Sequence, residues 1–265
     1  MSASSAAPPR MDARTCVFLV LTLSVCVNAF ACALATLPIP GLRDARAALG
    51  LFSFRAALVS ALLGFLYRIA YSMKRPPSYT LAGFKAVIDP IVDSNGFQLS
   101  AYALIFLPGR PIPSVLFPLA TCAAYQAGTI LNKHFGHTGF WMKSGGAALF
   151  KHAQENMHRA MMTCATTEIS TLPIALAELF TPRRSFVRAA ALIILLHRRR
   201  SCPDNTVFRI KYTYYDAGYY HRQFWSMLDE KTAPVIAKIP PLAALVRAAK
   251  TFAAPEARAR KPKAT

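Results

Sequence analysis

Apolar residues fill the run from Cys16 to Leu37 without a charge, and Asn28 is its one strongly polar side chain. At about 1.5 Å of rise per residue a helix over this run reaches roughly 33 Å, enough for a hydrocarbon core of about 30 Å. Pro38 and Pro40 stop it. A second run, Leu51 to Tyr71, carries Arg55 and Arg68 toward its two ends, from which both can snorkel to head groups. Lys74, Arg75, Pro76 and Pro77 close it, and the stretch after Phe84, with Lys85, Asp89 and Asp93, reads as interfacial. Residues 97–131 predict a helix, a break at 108–111 around Pro108-Gly109, and a charge-free spanning helix from Ile112 to Leu131. Pro118 is expected to kink that helix, because it removes a backbone donor. Beyond a Gly- and His-rich loop and a polar helix over 147–159, two further apolar segments follow, 160–180 and 186–196. The first is interrupted by Glu168, Pro173 and Glu178, and the second is too short to span comfortably. Together they suit a wedge-like hairpin better than two full spans.

These runs predict an all-α, polytopic integral membrane protein: a spanning helix over 15–37, a span or a shallow hairpin over 51–71, short hairpin-like helices, and a basic helical tail. Composition sharpens the picture. Of 265 residues 54% are hydrophobic and only 16% charged, yet the net charge is +19, from 31 Lys+Arg against 12 Asp+Glu. Soluble domains carry about 25% charged residues. Scarce charge with a large imbalance means apolar runs with basic flanks, not the evenly basic surface of a nucleic-acid-binding domain. A cleaved signal peptide is the rival for the first run, with Arg10 and Arg14 as its basic region and Ala31-Cys32-Ala33 as its cleavage site. The length of the run and the segments behind it favour a span.

Residues 1–14 read as a disordered N-terminus, 15–196 as the membrane domain, 197–254 as a basic tail and 255–265 as a disordered basic end. Arg198, Arg199 and Arg200 abut the last apolar segment, which places the tail on the cytosolic side and draws it to anionic lipid by about 1 kcal/mol per residue. Within the tail, 240–254 predicts an amphipathic helix. Leu242, Leu245, Val246, Ala249 and Phe252 share one face, Arg247 and Lys250 lie off it, Pro240 and Pro241 start it and Pro255 ends it. Such a helix lies in the bilayer interface or packs on the rest of the tail. The aromatic stretch from Phe208 to Trp225, interleaved with Arg and Lys, suits the same interface. No RNA-binding pattern surrounds it, so no specific nucleic acid is expected.

Candidate chemistry is thin. The six cysteines show no paired spacing and imply neither a disulfide framework nor a zinc site. His134 and His137 stand three apart, and His152, Glu155 and His158 are read onto one helix, but the closely spaced repeats of a membrane metal centre are missing. No phosphate-cradling glycine loop or nucleophile elbow occurs, and no catalytic residue, metal or cofactor is expected. Two intramembrane polar residues stand out. Asn28 is expected to hydrogen-bond a neighbouring helix. Glu168, a carboxylate inside an apolar run, is a functional candidate by default, the plainer reading being protonation or a hydrogen bond. A multi-pass lipid-modifying enzyme or a transporter using Glu168 is the alternative to a non-enzymatic role.

Several pieces, in order, resemble the transmembrane protein 33 family (the Krüppel-homologue-2 family, which includes small pore-membrane proteins of yeast). They are Phe54-Arg55-Ala56-Ala57-Leu58 before an apolar helix, Tyr102-Ala103-Leu104-Ile105-Phe106 with Leu116-Phe117-Pro118 beyond a break, and Glu168-Ile169 with Pro173. An apolar helix running into Arg198-Arg199-Arg200, with Pro203 and Phe208 after it, completes the series. The resemblance covers about residues 15 to 253, and this chain departs from it in a more glycine-rich loop from His134 to Gly146 and a tail richer in tyrosine. It implies a non-enzymatic protein of the endoplasmic reticulum and nuclear envelope that shapes curved membrane and contributes to tubule organisation or nuclear pore assembly. Reticulon-type membrane proteins and nucleoporins are the partners it implies, and the basic tail, with Lys261-Pro262-Lys263, adds an import receptor.

Overall fold

The computed structural model describes residues 11–37, 43–73, 79–92, 94–180, 186–201 and 217–238, which are helical with short turns and contain no strand. Ten α-helices follow in order among them: α1 Ala13–Ala35, α2 Arg43–Ser72, α3 Leu81–Val92, α4 Asn95–Phe106, α5 Leu116–Phe135, α6 Gly139–Lys143, α7 Gly146–Glu155, α8 Met157–Ala177, α9 Phe186–Ser201 and α10 Ala217–Ala237. α1, α2 and α5 are long and apolar enough to cross a membrane.

Small residues set the frame. α1 and α2 pack antiparallel, with the glycine positions Gly50 and Gly64 set against Ala35 and Leu21. Ala57 and Ala61 are buried on α2, and the hydroxyls of Ser24 and Ser60 meet across the pair at 2.9 Å. Between membrane helices such close approach replaces the hydrophobic drive that water would supply. α5 lies antiparallel to α1, with the Cys26 thiol 3.8 Å from the Ala120 carbonyl. The start of α1 and the ends of α2 and α5 therefore meet at one end of the bundle, the proximal end. The end of α1, the start of α2 and the break before α5 form the distal end.

α4 packs along α2 with Gly96 beside Ile69, and so runs from the proximal toward the distal end. After the break Pro113–Val115 form a 3-10 turn, and α5 begins at Leu116. Pro118 thus falls in the first helical turn, where an amide has no partner to lose. The expected kink has no cause there. α8 continues unbroken through Glu168 and Pro173, and α9 runs on from Phe186 through Arg198–Arg200 to Ser201. α2 starts at Arg43, before the apolar run, because Asp44 to Leu49 are mostly good helix formers.

The core joins α2, α4, α5, α8 and α9 through Phe54, Leu58, Tyr102, Phe106, Leu119, Met161 and Leu192, each almost fully buried. The outside is just as apolar. Val20, Val27 and Phe30 on α1 are each about two-thirds exposed, and Phe52 on α2 is 71% exposed. A continuous apolar exterior on spanning helices is a lipid-facing surface.

Candidate functional site

The two ends of the bundle differ. At the distal end α4 and α9 are short, 12 and 16 residues, or about 18 and 24 Å. The break after α4 touches the start of α9, where Gly109 leaves room for the Arg188 guanidinium. Arg188 pairs with Glu178 at the end of α8, with only 11% and 21% of the two side chains exposed. One compact ion pair thus pins both turns, the α4–α5 break and the α8–α9 hairpin.

Extra helices gather at the proximal end. α3 follows the end of α2 and packs only lightly, chiefly on α4. Its Leu81, Phe84 and Ile88, at helical spacing, are exposed, Leu81 by 88%. α6 and α7 fold back along the final half of α5, where the Tyr125 hydroxyl donates to the Ala153 carbonyl at 2.6 Å. Gly145, with φ 79°, supplies the left-handed turn between them. Phe140, Met142 and Leu149 on these helices are exposed as well. Large apolar side chains on short helices beside Lys85, Lys143 and Lys151 match the composition of interfacial elements.

The polar candidates read from the sequence fall as follows. Asn28 turns back on its own helix, donating to the Ser24 carbonyl at 2.8 Å and the Ser24 hydroxyl at 3.2 Å. The hydrogen bond between helices belongs to Ser24 and Ser60, so Asn28 supports it from behind. Glu168 is fully buried in α8 beside Cys164 and Ala165, and the Thr171 hydroxyl donates to its backbone carbonyl at 2.6 Å. Its carboxyl has no exposed surface. His152 and Glu155 lie on α7 but His158 lies on α8, since the helix breaks at Asn156. His158 instead packs against Tyr220, with ring centroids 5.3 Å apart and planes tilted by 56°. Among the described residues no three metal-binding side chains cluster. Arg198, Arg199 and Arg200 continue α9. Leu242, Leu245, Val246, Arg247, Ala249, Lys250 and Phe252 lie outside the described residues.

Sequence reasoning missed α10. It docks on α8 and α9, with Tyr220 buried and Phe224 packed against the core. The signal was present: Tyr220, Phe224 and Leu228 stand four apart, one stripe of a helix.

The start of α1 is electrostatically fixed. Asp12 caps it, accepting from the Thr15 amide at 2.9 Å. Hydrogen bonding from Thr15, its side chain first and then its backbone N–H, holds the Asp12 carboxyl below the ordinary 3.8. Because the folded value is the lower one, this contribution is complete above the unfolded value of about 3.9 and is lost as the pH falls through the folded value. Acid below about pH 4 should therefore fray the first turn of α1, read as faster amide exchange at Thr15, and Asp12→Asn should remove that pH dependence while keeping the cap.

An apolar exterior, a small-residue helix interface and a proximal ring of exposed apolar side chains define a helical integral membrane protein that is asymmetric across its own thickness. Residues 49–213 match the Transmembrane protein 33/Nucleoporin POM33 family, and the chain belongs to that family. It is thus a membrane protein of the endoplasmic reticulum and nuclear envelope class. No curated protein and no solved structure matches the chain.

Proposed function

We propose that the protein is a non-enzymatic shaper of curved membrane in the endoplasmic reticulum and nuclear envelope, with its proximal end in the cytosolic leaflet. The observation that carries this reading is the uneven placement of α3, α6 and α7. Their exposed Leu81, Phe84, Phe140 and Leu149 lie at the proximal end, while α4 and α9 turn short of a full span at the distal end. Helices inserted at one interface expand that leaflet, and the membrane bends away from the opposite one. Arg198, Arg199 and Arg200 at the end of α9 lie toward the same proximal end, which favours its cytosolic placement. α10 docks there as well, with Tyr220 against His158. Tubule organisation or pore assembly, with reticulon-type membrane proteins, nucleoporins or an import receptor as partners, is the finer form of this reading.

The test is reconstitution of the full chain into vesicles followed by imaging of their shape. The wild type is expected to draw tubules. Leu81→Asp/Phe84→Asp should remove most of that activity with the spanning bundle intact, because α3 packs so lightly on it. Undiminished tubulation by this variant would sink the role given to α3. A protease-protected C-terminal tag in cells would reverse the orientation.

A further inference from the structure

A cavity of about 380 Å³ opens at the proximal end where α1, α2 and α5 converge. Its rim carries three permanent cations from three different helices: Arg14 in the first turn of α1, Arg68 one turn before the end of α2, and Lys133 in the last turn of α5. None of these three makes an ion pair among the described residues. The one carboxylate on the rim, Asp12, is already engaged as the cap of α1. The local charge is therefore net positive, three cations against one carboxylate.

The walls hold these cations in place. The Arg14 guanidinium lies 4.7 Å from the centroid of the Tyr71 ring, and that of Arg68 lies 5.6 Å from the centroid of Phe18. Such contacts orient a guanidinium through its face and leave its edge N–H groups available to an anion. Deeper in, Phe18 and Ile130 give an apolar lining, and the Gln126 side chain has a buried oxygen with no hydrogen-bond partner among the described residues. A buried amide oxygen left this way calls for a donor such as a hydroxyl. Along α5, Lys133 stands at the rim, Ile130 about one turn below it and Gln126 a further turn below.

We infer that this cavity binds the phosphate head group of an anionic membrane lipid, with the phosphate at Arg14, Arg68 and Lys133 and a head-group or glycerol hydroxyl at Gln126. Basic pockets between membrane helices take such head groups, and the size falls within the range of small-molecule sites. A soluble phosphate ester shares the charge chemistry. The lipid is favoured because all three cations sit at the ends of spanning helices, at head-group depth, above an apolar lining. The site is separate from α3 and the tail and does not depend on the curvature reading.

The experiment is native mass spectrometry of the full chain taken from vesicles of phosphatidylcholine containing phosphatidic acid or a phosphoinositide. The wild type should retain the anionic lipid in preference to phosphatidylcholine. Arg68→Gln/Lys133→Gln should retain it roughly thirtyfold less, at about 1 kcal/mol per cation, while Lys151→Gln on α7 should match the wild type. Arg14 is exposed, so Arg14→Gln tests the same site in a protein whose folding it should not disturb, and Arg68→Lys should restore most retention. Equal retention by the wild type and the charge-removing variants would overturn the site. Thermal stabilisation by glycerol 3-phosphate alone, equal to that by lipid, would overturn the assignment to a lipid. Vesicle tubulation by the charge-removing variants should be unchanged, which keeps this test apart from that of the proposed function.

Discussion

Val20→Asp/Val27→Asp should strip α1 from the bilayer. Both valines lie on one face of the helix and are about two-thirds exposed. In water, an exposed valine replaced by aspartate costs little and improves solubility. In hydrocarbon, each exchange trades a slightly favourable residue for one costing about 3 kcal/mol near the helix centre, so the pair amounts to about 6 kcal/mol. Alkaline extraction of membranes expressing the variant, with a glycosylation site placed after Leu37 to report crossing, measures the effect. The wild-type segment should be glycosylated or protected according to its orientation, and the variant should lose that signature. A variant integrated as fully as the wild type would mean that the exposed face of α1 meets something other than lipid. The outcome also bears on the signal-peptide alternative. Ala31-Cys32-Ala33 lies within α1, where Cys32 is buried in the core, so cleavage there would dismantle the α1–α2 interface.

The second large effect is expected at the distal end. Arg188→Leu removes the guanidinium from a mostly buried Glu178 and should cost about 3 kcal/mol, because taking away one partner of a buried pair leaves the other charge poorly compensated. Glu178→Leu/Arg188→Leu should recover most of that loss, since two apolar side chains fill the same space without the desolvation penalty. Gly109→Val attacks the same contact from its other side, because any side chain at Gly109 meets the Arg188 guanidinium. Unfolding in mixed micelles, followed by denaturant titration, reads all three. A single Arg188→Leu variant as stable as the double variant would mean that the pair does not pin the two turns. The comparison matters for function. If the turns are held by this pair, the short helices α4 and α9 are fixed wedges, and loosening them should also weaken tubulation.

Long charge-free runs made α1 and α5 legible in the sequence, because a bilayer requires about 20 apolar residues and tolerates few exceptions. The break after Phe106 was equally legible, since Pro108, Gly109, Pro111 and Pro113 leave little choice of backbone. The helix start that relieves Pro118 was not. It depends on where the 3-10 turn hands over to α5, a boundary set by packing rather than by the proline. Asn28 stands out in the sequence as polar in an apolar run, but its partner depends on the spacing of Ser24 and Ser60 across the α1–α2 interface. α10 carried a recognisable stripe, yet its aromatic residues suit a bilayer surface as well as a protein surface, and only the groove offered by α8 and α9 distinguishes the two.

By itself, then, the sequence determined the class: helices that cross a membrane, a basic flank and scarce charge within the spans, all of them local consequences of hydrophobicity and chain stiffness. Tertiary structure decided which polar groups act together. Residues near positions 12, 68 and 133 are far apart along the chain. They form one cationic cavity only because two antiparallel pairings bring the start of α1 to the ends of α2 and α5. The same pairings set the turns of the short helices α4 and α9 at the distal end and the interfacial helices at the proximal one, an asymmetry that no single segment carries. Local pattern fixes what each helix prefers to touch, but the choice among helices that prefer the same surroundings is made by small-residue packing and a few buried polar contacts.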